Sequence, residues 1–75
     1  MTELRRKANY ATIIQEDSGD SDITYIGSAK TGSATSGSLW SIKEINTVSG
    51  TVIQWCDGNA DFDNVWDNRE ELTYS

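Results

Sequence analysis

Two runs of β-branched and aromatic residues on either side of a short glycine-containing turn constrain this chain more than any other feature. Leu39-Trp40-Ser41-Ile42-Lys43-Glu44-Ile45 and Thr51-Val52-Ile53-Gln54-Trp55-Cys56 flank Asn46-Thr47-Val48-Ser49-Gly50. Side chains that are stiff at χ1, or broad and flat, fit a pleated surface better than a helix. Glycine supplies the backbone angles that a tight reversal needs. The pattern predicts a β-hairpin. Period-2 alternation puts Trp40 with Ile42 on one face, and Ile53 with Trp55 on one face. Both tryptophans are therefore expected on the core side, as the largest contributors to it.

The preceding segments follow the same grammar. Tyr10-Ala11-Thr12-Ile13-Ile14-Gln15 reads as a strand, and it stops at Glu16-Asp17-Ser18-Gly19-Asp20-Ser21-Asp22, an exposed acidic turn. Ile23-Thr24-Tyr25-Ile26-Gly27 would complete a first hairpin. The small, polar stretch from Ser28 to Ser38 cannot supply a packed face and is expected to be a connecting loop, long enough to act as a contact surface. After a turn at Asp57-Gly58, Phe62, Val65, Trp66 and Arg69 recur at helical spacing, which predicts one or two helical turns before a terminal strand, Leu72-Thr73-Tyr74. The expected fold is mostly β: a small antiparallel sandwich or barrel of about five strands, with one short helical turn near the C-terminus. Residues 1–9 have little apolar content and read as an arm that orders against a partner, leaving 10–75 as a single domain.

A chain of 75 residues buries a modest fraction of its surface and usually needs a disulfide, a metal or a second subunit to be stable. The lone Cys56 allows no internal disulfide. The absence of histidine removes the usual zinc ligands. Oligomerisation is the remaining source of support, so a homo-oligomer is expected. No apolar stretch approaches the roughly 20 residues of a membrane span, and the charged start does not resemble a secretion signal. The expectation is a protein made in the cytoplasm with no membrane partner. A net charge of −6 argues against general binding to nucleic-acid phosphates. Half of the positive charge sits at Arg5, Arg6 and Lys7, too short a cluster for a nucleic-acid contact.

Asp57, Asn59, Asp61 and Asp63 alternate oxygen ligands as the first half of a calcium loop does. Phe62 then stands where the sharp turn wants glycine, and Asn68 where a bidentate glutamate belongs. The simpler reading is a turn in which Asp and Asn cap their own backbone, with Asp61 or Asp63 as N-cap of the helical turn. No cofactor is expected. Catalysis is disfavoured as well. Cys56 has no basic neighbour in sequence to lower its pKa, and so short a chain offers no evident pocket to tune its carboxylates. Among the aromatic residues, Trp40 and Trp55 read as core. Trp66 and Tyr74, with Arg69 beside them, are the interface candidates, because aromatic and arginine side chains are enriched at contact hot spots.

One further observation concerns the series Thr24-Tyr25-Ile26-Gly27-Ser28-Ala29, Gly32-Ser33-Ala34-Thr35-Ser36, Leu39-Trp40-Ser41-Ile42-Lys43, Gln54-Trp55-Cys56-Asp57-Gly58-Asn59-Ala60, the run Phe62-Asp63-Asn64-Val65-Trp66-Asp67-Asn68-Arg69 and Leu72-Thr73-Tyr74-Ser75. It resembles a group of small virion-associated structural proteins of tailed bacteriophages, over about residues 24–75. Phe62 to Arg69 is its most distinctive part. Cys56 stands where the pattern would more readily have a small residue such as alanine. The resemblance implies a non-enzymatic virion structural protein, a repeated subunit of the tail, baseplate or neck whose partners are other virion proteins. It brings no catalytic or binding residue with it. Capsid decoration is the nearest alternative. Two readings from other classes remain: an acidic DNA-mimic inhibitor of a host protein, motivated by the charge, and a calcium-binding module.

Overall fold

The computed structural model describes residues 9–75; residues 1–8, and with them nearly all of the expected N-terminal arm, lie outside the described residues. The alternating runs form four main strands, β1 (Tyr10–Glu16), β2 (Ile23–Lys30), β3 (Ser38–Asn46) and β4 (Val52–Trp55), and a two-residue β5 (Asn64–Val65) leads into a 3₁₀ helix, Trp66–Glu71. The sheet order is β1-β2-β3-β4, antiparallel throughout, with β5 pairing to the start of β3. The mostly β fold with about five strands and one short helix near the C-terminus is as the sequence implied. Among the described residues no ladder joins β1 to β4, so the strands form an open sheet and not a closed barrel.

The register sorts the side chains. Ile13 faces Gly27 and Gly27 faces Ile42, while Ile14 faces Ile26, Ile26 faces Lys43 and Lys43 faces Trp55. Neighbouring residues on a strand point to opposite sides. One face therefore carries Ile13, Tyr25, Gly27, Ala29, Trp40, Ile42 and Cys56, and the other carries Ile14, Ile26, Lys43, Ile45, Ile53 and Trp55. The C-terminal segment covers the first face. Its Trp66 joins Tyr25, Ala29, Trp40, Ile42 and Cys56 in the buried core, and Leu72 and Tyr74 pack against them.

Two boundaries differ from the sequence reading. β2 does not stop at Gly27 but continues to Lys30, pairing Ala29 with Ala11 and Lys30 with Tyr10, and the connecting loop shrinks to residues 31–37. Its small residues are strand residues because something large lies on them. A Cβ added at Gly27 would sit 2.4 Å from Trp66 Cε3 and 3.2 Å from Trp40 Cε3, and Ala29 is fully buried. The helix is the second difference. It starts at Trp66, so the helical spacing from Phe62 was fortuitous, and Val65 occupies the N-cap position with no side-chain cap. Asp61 and Asp63 do not cap it.

Candidate interaction surface

The expected contact residues Trp66, Tyr74 and Arg69 are brought together by the fold, but they face inward. Trp66 is 4% exposed. Its ring packs on Trp40 with centroids 5.9 Å apart and planes tilted by 39°. The Arg69 guanidinium also lies over this ring, 4.6 Å from its centre, and Arg69 Nη1 donates to the Trp66 carbonyl at 3.2 Å. The Tyr74 hydroxyl donates to the Arg69 carbonyl at 2.8 Å, and its ring meets Tyr25 at 5.7 Å. Burial raises the pKa of both tyrosines. Trp66 is therefore not on a contact surface: a flat apolar ring lying over a glycine gap in the sheet gains more by filling that gap than by waiting for a partner. Tyr74 and Arg69 fasten the helix and keep partial exposure.

Trp55 moves the other way. Expected in the core with Trp40, it is half-buried on the opposite face, where Lys43 Nζ sits 5.2 Å from its ring centre. Ile53 beside it is 55% exposed. The five-residue span between Asn46 and Val52 sets a register in which the tryptophan of β4 faces Lys43 and not Ile42; a shift of one residue would have exchanged the faces. Cys56 takes the core position in its place. Burial first, then the charges of Asp57 and Asp63, push its thiol pKa up to about 11, which makes it a poor nucleophile.

The open face thus presents a band that crosses all four strands. Ile14, Ile26, Lys43 and Trp55 stand in register, with Thr24, Ile45 and Ile53 alongside. At the end near Lys30 a cleft of about 340 Å³ lies among Tyr10, Lys30, Ser33, Leu39 and Phe62. Tyr10 and Phe62 touch there, ring centres 5.7 Å apart, while each stays about half exposed.

The acidic segments are local turns. Asp57 and Gly58 both have positive φ, 59° and 74°, as the centre of a tight reversal closed by Asn59 N–H to the Cys56 carbonyl at 3.3 Å. Asn59 Oδ1 accepts from Asp61 N–H at 2.9 Å. Among the described residues no group of three or more acidic, Cys or His side chains is placed to hold a metal ion. In the first turn, Asp17 accepts from Gly19 N–H and from the Tyr25 hydroxyl, the latter at 2.7 Å. The tyrosine bond is the main reason its carboxyl pKa lies below the ordinary value. Ser18 ties this turn to the helix end, donating from its N–H and hydroxyl to Glu70 at 2.9 and 2.7 Å. Among the described residues no helix is long and apolar enough to cross a membrane.

No protein-family model matches the chain, and no curated protein or solved structure matches it.

Proposed function

We propose that this protein is a non-enzymatic structural subunit of a tailed-phage virion, assembling in the tail, baseplate or neck with copies of itself and with other virion proteins. The observation that carries the assembly part of this reading is the asymmetry of the sheet. One face is closed by the chain's own C-terminus, and the other keeps Ile14, Ile53, Tyr10 and Phe62 about half exposed or more. A lone soluble domain gains nothing from that arrangement, whereas a subunit repeated on a symmetric particle buries such surface on assembly. The phage part rests on the resemblance of residues 24–75.

The side-chain chemistry of the molecule supports a role without catalysis. The one thiol is buried and held protonated at neutral pH, and the cleft at Tyr10 is lined by Tyr10, Lys30, Ser33, Leu39 and Phe62, with no carboxylate or thiol among them. The inhibitor reading needs carboxylates in a stripe spaced like phosphates on one face. Here Asp17, Asp20 and Asp22 lie in one turn, and Asp57, Asp61 and Asp63 in another. Mass spectrometry of purified virions, with copy number measured against the major capsid protein, tests the proposal. About 3 to 18 copies per particle fits a tail or neck position and hundreds fits capsid decoration; absence from the virion refutes the structural role.

A further inference from the structure

The pairing of β2 with β3 is shorter than either strand and ends at Ser28 opposite Ser41. Beyond that point β2 runs on with β1, Ala29 opposite Ala11 and Lys30 opposite Tyr10. The start of β3 turns instead to β5, with Ser38 opposite Val65 and Trp40 opposite Asn64. Two ladders that part in this way leave a wedge between them, and the cleft of about 340 Å³ draws its lining from both branches. Tyr10 and Lys30 come from one branch, Leu39 and Phe62 from the other, and Ser33 from the turn after β2. Backbone bonds hold the walls. Thr31 N–H donates to the Asn9 carbonyl and Ser33 N–H to the Lys30 carbonyl, each at 3.0 Å, and Leu39 N–H donates to the Gly37 carbonyl at 2.8 Å. Gly32, at φ 92°, supplies the left-handed turn that brings Ser33 round. The hollow is therefore preformed, as small-ligand sites usually are.

Its large side chains stay open where those of the covered face are sealed. Trp40 and Trp66 are 2% and 4% exposed, but Tyr10, Leu39 and Phe62 keep 53%, 48% and 49%. Apolar surface gathered around a hollow marks a contact site more than the same residues scattered singly. Lys30 is the only charged residue that lines it. The other two cations among the described residues are engaged with rings, Lys43 over Trp55 and Arg69 over Trp66. Asp61 and Asp63 flank Phe62 in sequence, yet neither lines the cleft. Asp61 is tied by its N–H to Asn59, and Asp63 lies near enough to Cys56 in the core to push up the pKa of its thiol.

We propose that this fork binds an arylalkyl carboxylate, with the ring against Tyr10, Phe62 and Leu39 and the carboxylate on the Lys30 ammonium and the Ser33 hydroxyl. Size, shape and charge each select this group. A cavity of about 150 Å³ encloses benzene, so 340 Å³ takes one ring and a short acid arm. The Tyr10 and Phe62 rings are inclined at 47° with centres 5.7 Å apart, and a third ring completes such a tilted cluster at its favoured spacing. One lysine with no arginine fork beside it matches a single negative charge and not a phosphate dianion. Free aromatic acids carry this group, and so does the C-terminus of a chain that ends in an aromatic residue. The inference goes beyond the assembling-subunit reading and rests neither on it nor on the phage context.

Amide-resolved NMR of the full chain, titrated with phenylpropionate at constant pH and ionic strength, tests it. Saturable shifts are expected at Lys30, Ser33, Leu39 and Phe62. The expected dissociation constant is about 1 mM, the ordinary strength for a ligand of about eleven heavy atoms. Phenylpropanol, the neutral analogue, should bind at least about tenfold more weakly. Lys30→Gln, a change at an exposed side chain, should erase that difference, and Phe62→Ala should weaken both compounds about tenfold. Acetylated peptides ending in phenylalanine separate the two sources. A free-acid peptide that binds more tightly than phenylpropionate, and loses this on amidation, assigns the group to a chain end; a weaker one assigns it to a free acid. No saturable shift at about 20 mM ligand overturns the proposal. So do equal affinities for the acid and the alcohol, or shifts centred on Ile53 and Trp55, which would mean adsorption to the open face.

Discussion

The two faces of this sheet carry similar amounts of apolar sequence and have opposite fates. On one face Trp40, Ile42, Tyr25 and Ala29 are sealed by Trp66 and Tyr74. On the other Ile14, Ile26, Ile45, Ile53 and Trp55 are left half-buried or exposed. Hydrophobicity does not distinguish them, since four isoleucines and a tryptophan stand in the open band. Relief does. The covered face has a depression at Gly27 and Ala29 into which a tryptophan can sink, and the C-terminal segment returns across it because Thr73 and Ser75 are hydrogen-bonded to the edge of β4. Burial is decided by which face a neighbour can approach closely, because dispersion and desolvation both require contact and not mere proximity.

The comparison breaks most sharply at Gly27. Gly27→Val places atoms where Trp66 and Trp40 now lie, so the helix must leave the sheet; loss of near-ultraviolet circular dichroism and of cooperative melting is expected. Next in size are the tryptophans themselves. Trp66→Ala and Trp40→Ala should each destabilise by about 3–5 kcal/mol, against a total of about 4–11 kcal/mol for a chain of this length, whereas Trp55→Ala should cost about 1 kcal/mol or less in urea titrations. Equal losses at Trp55 and Trp66 would refute the two-face description. Smaller still is Tyr25→Phe, which removes the bond to Asp17 and should cost about 1 kcal/mol.

The acid limb of stability sharpens the same contrast. The lowered pKa of Asp17 means that its contribution is present above the ordinary carboxylate pKa and is lost as pH falls through the lower folded value. Tyr25→Phe should flatten that loss in melts taken between about pH 5 and 2. Glu44, on the covered face, acts with the opposite sign. Burial, then the charge of Asp17, raises its pKa, so its folded-state benefit holds below the ordinary value and disappears as pH rises through the raised one; Glu44→Gln should slightly increase stability at neutral pH. The smallest effect is expected on the open face, where Ile53→Ser should change monomer stability by no more than about 0.5 kcal/mol.

Much of the architecture was legible in advance. The Leu39–Ile45 and Thr51–Cys56 hairpin, the acidic turn after β1 and the turn at Asp57-Gly58 all carry local signals: alternation, β-branched residues, and Asp, Asn and Gly at reversals. The extent of β2 was not legible, because Ser28 and Ala29 look like loop residues until the tryptophans packed over Gly27 and Ala29 are known. Gly27 was the available clue, since an isolated glycine within a strand marks a close approach of something else. The burial of Trp66 escaped the sequence for a related reason. Trp66 and Arg69 have the composition of a hot spot, and composition cannot distinguish an aromatic ring awaiting a partner from one already buried by its own sheet.

What the sequence determined by itself was the set of elements and their reversals, because backbone preference and turn chemistry act over a few residues. Which face of the sheet became the core, why Trp66 and Cys56 entered it while Trp55 did not, and which edge stayed open were decided by tertiary structure alone. A single residue of register moves every side chain of β4 to the other side, and only the completed ladder fixes that register.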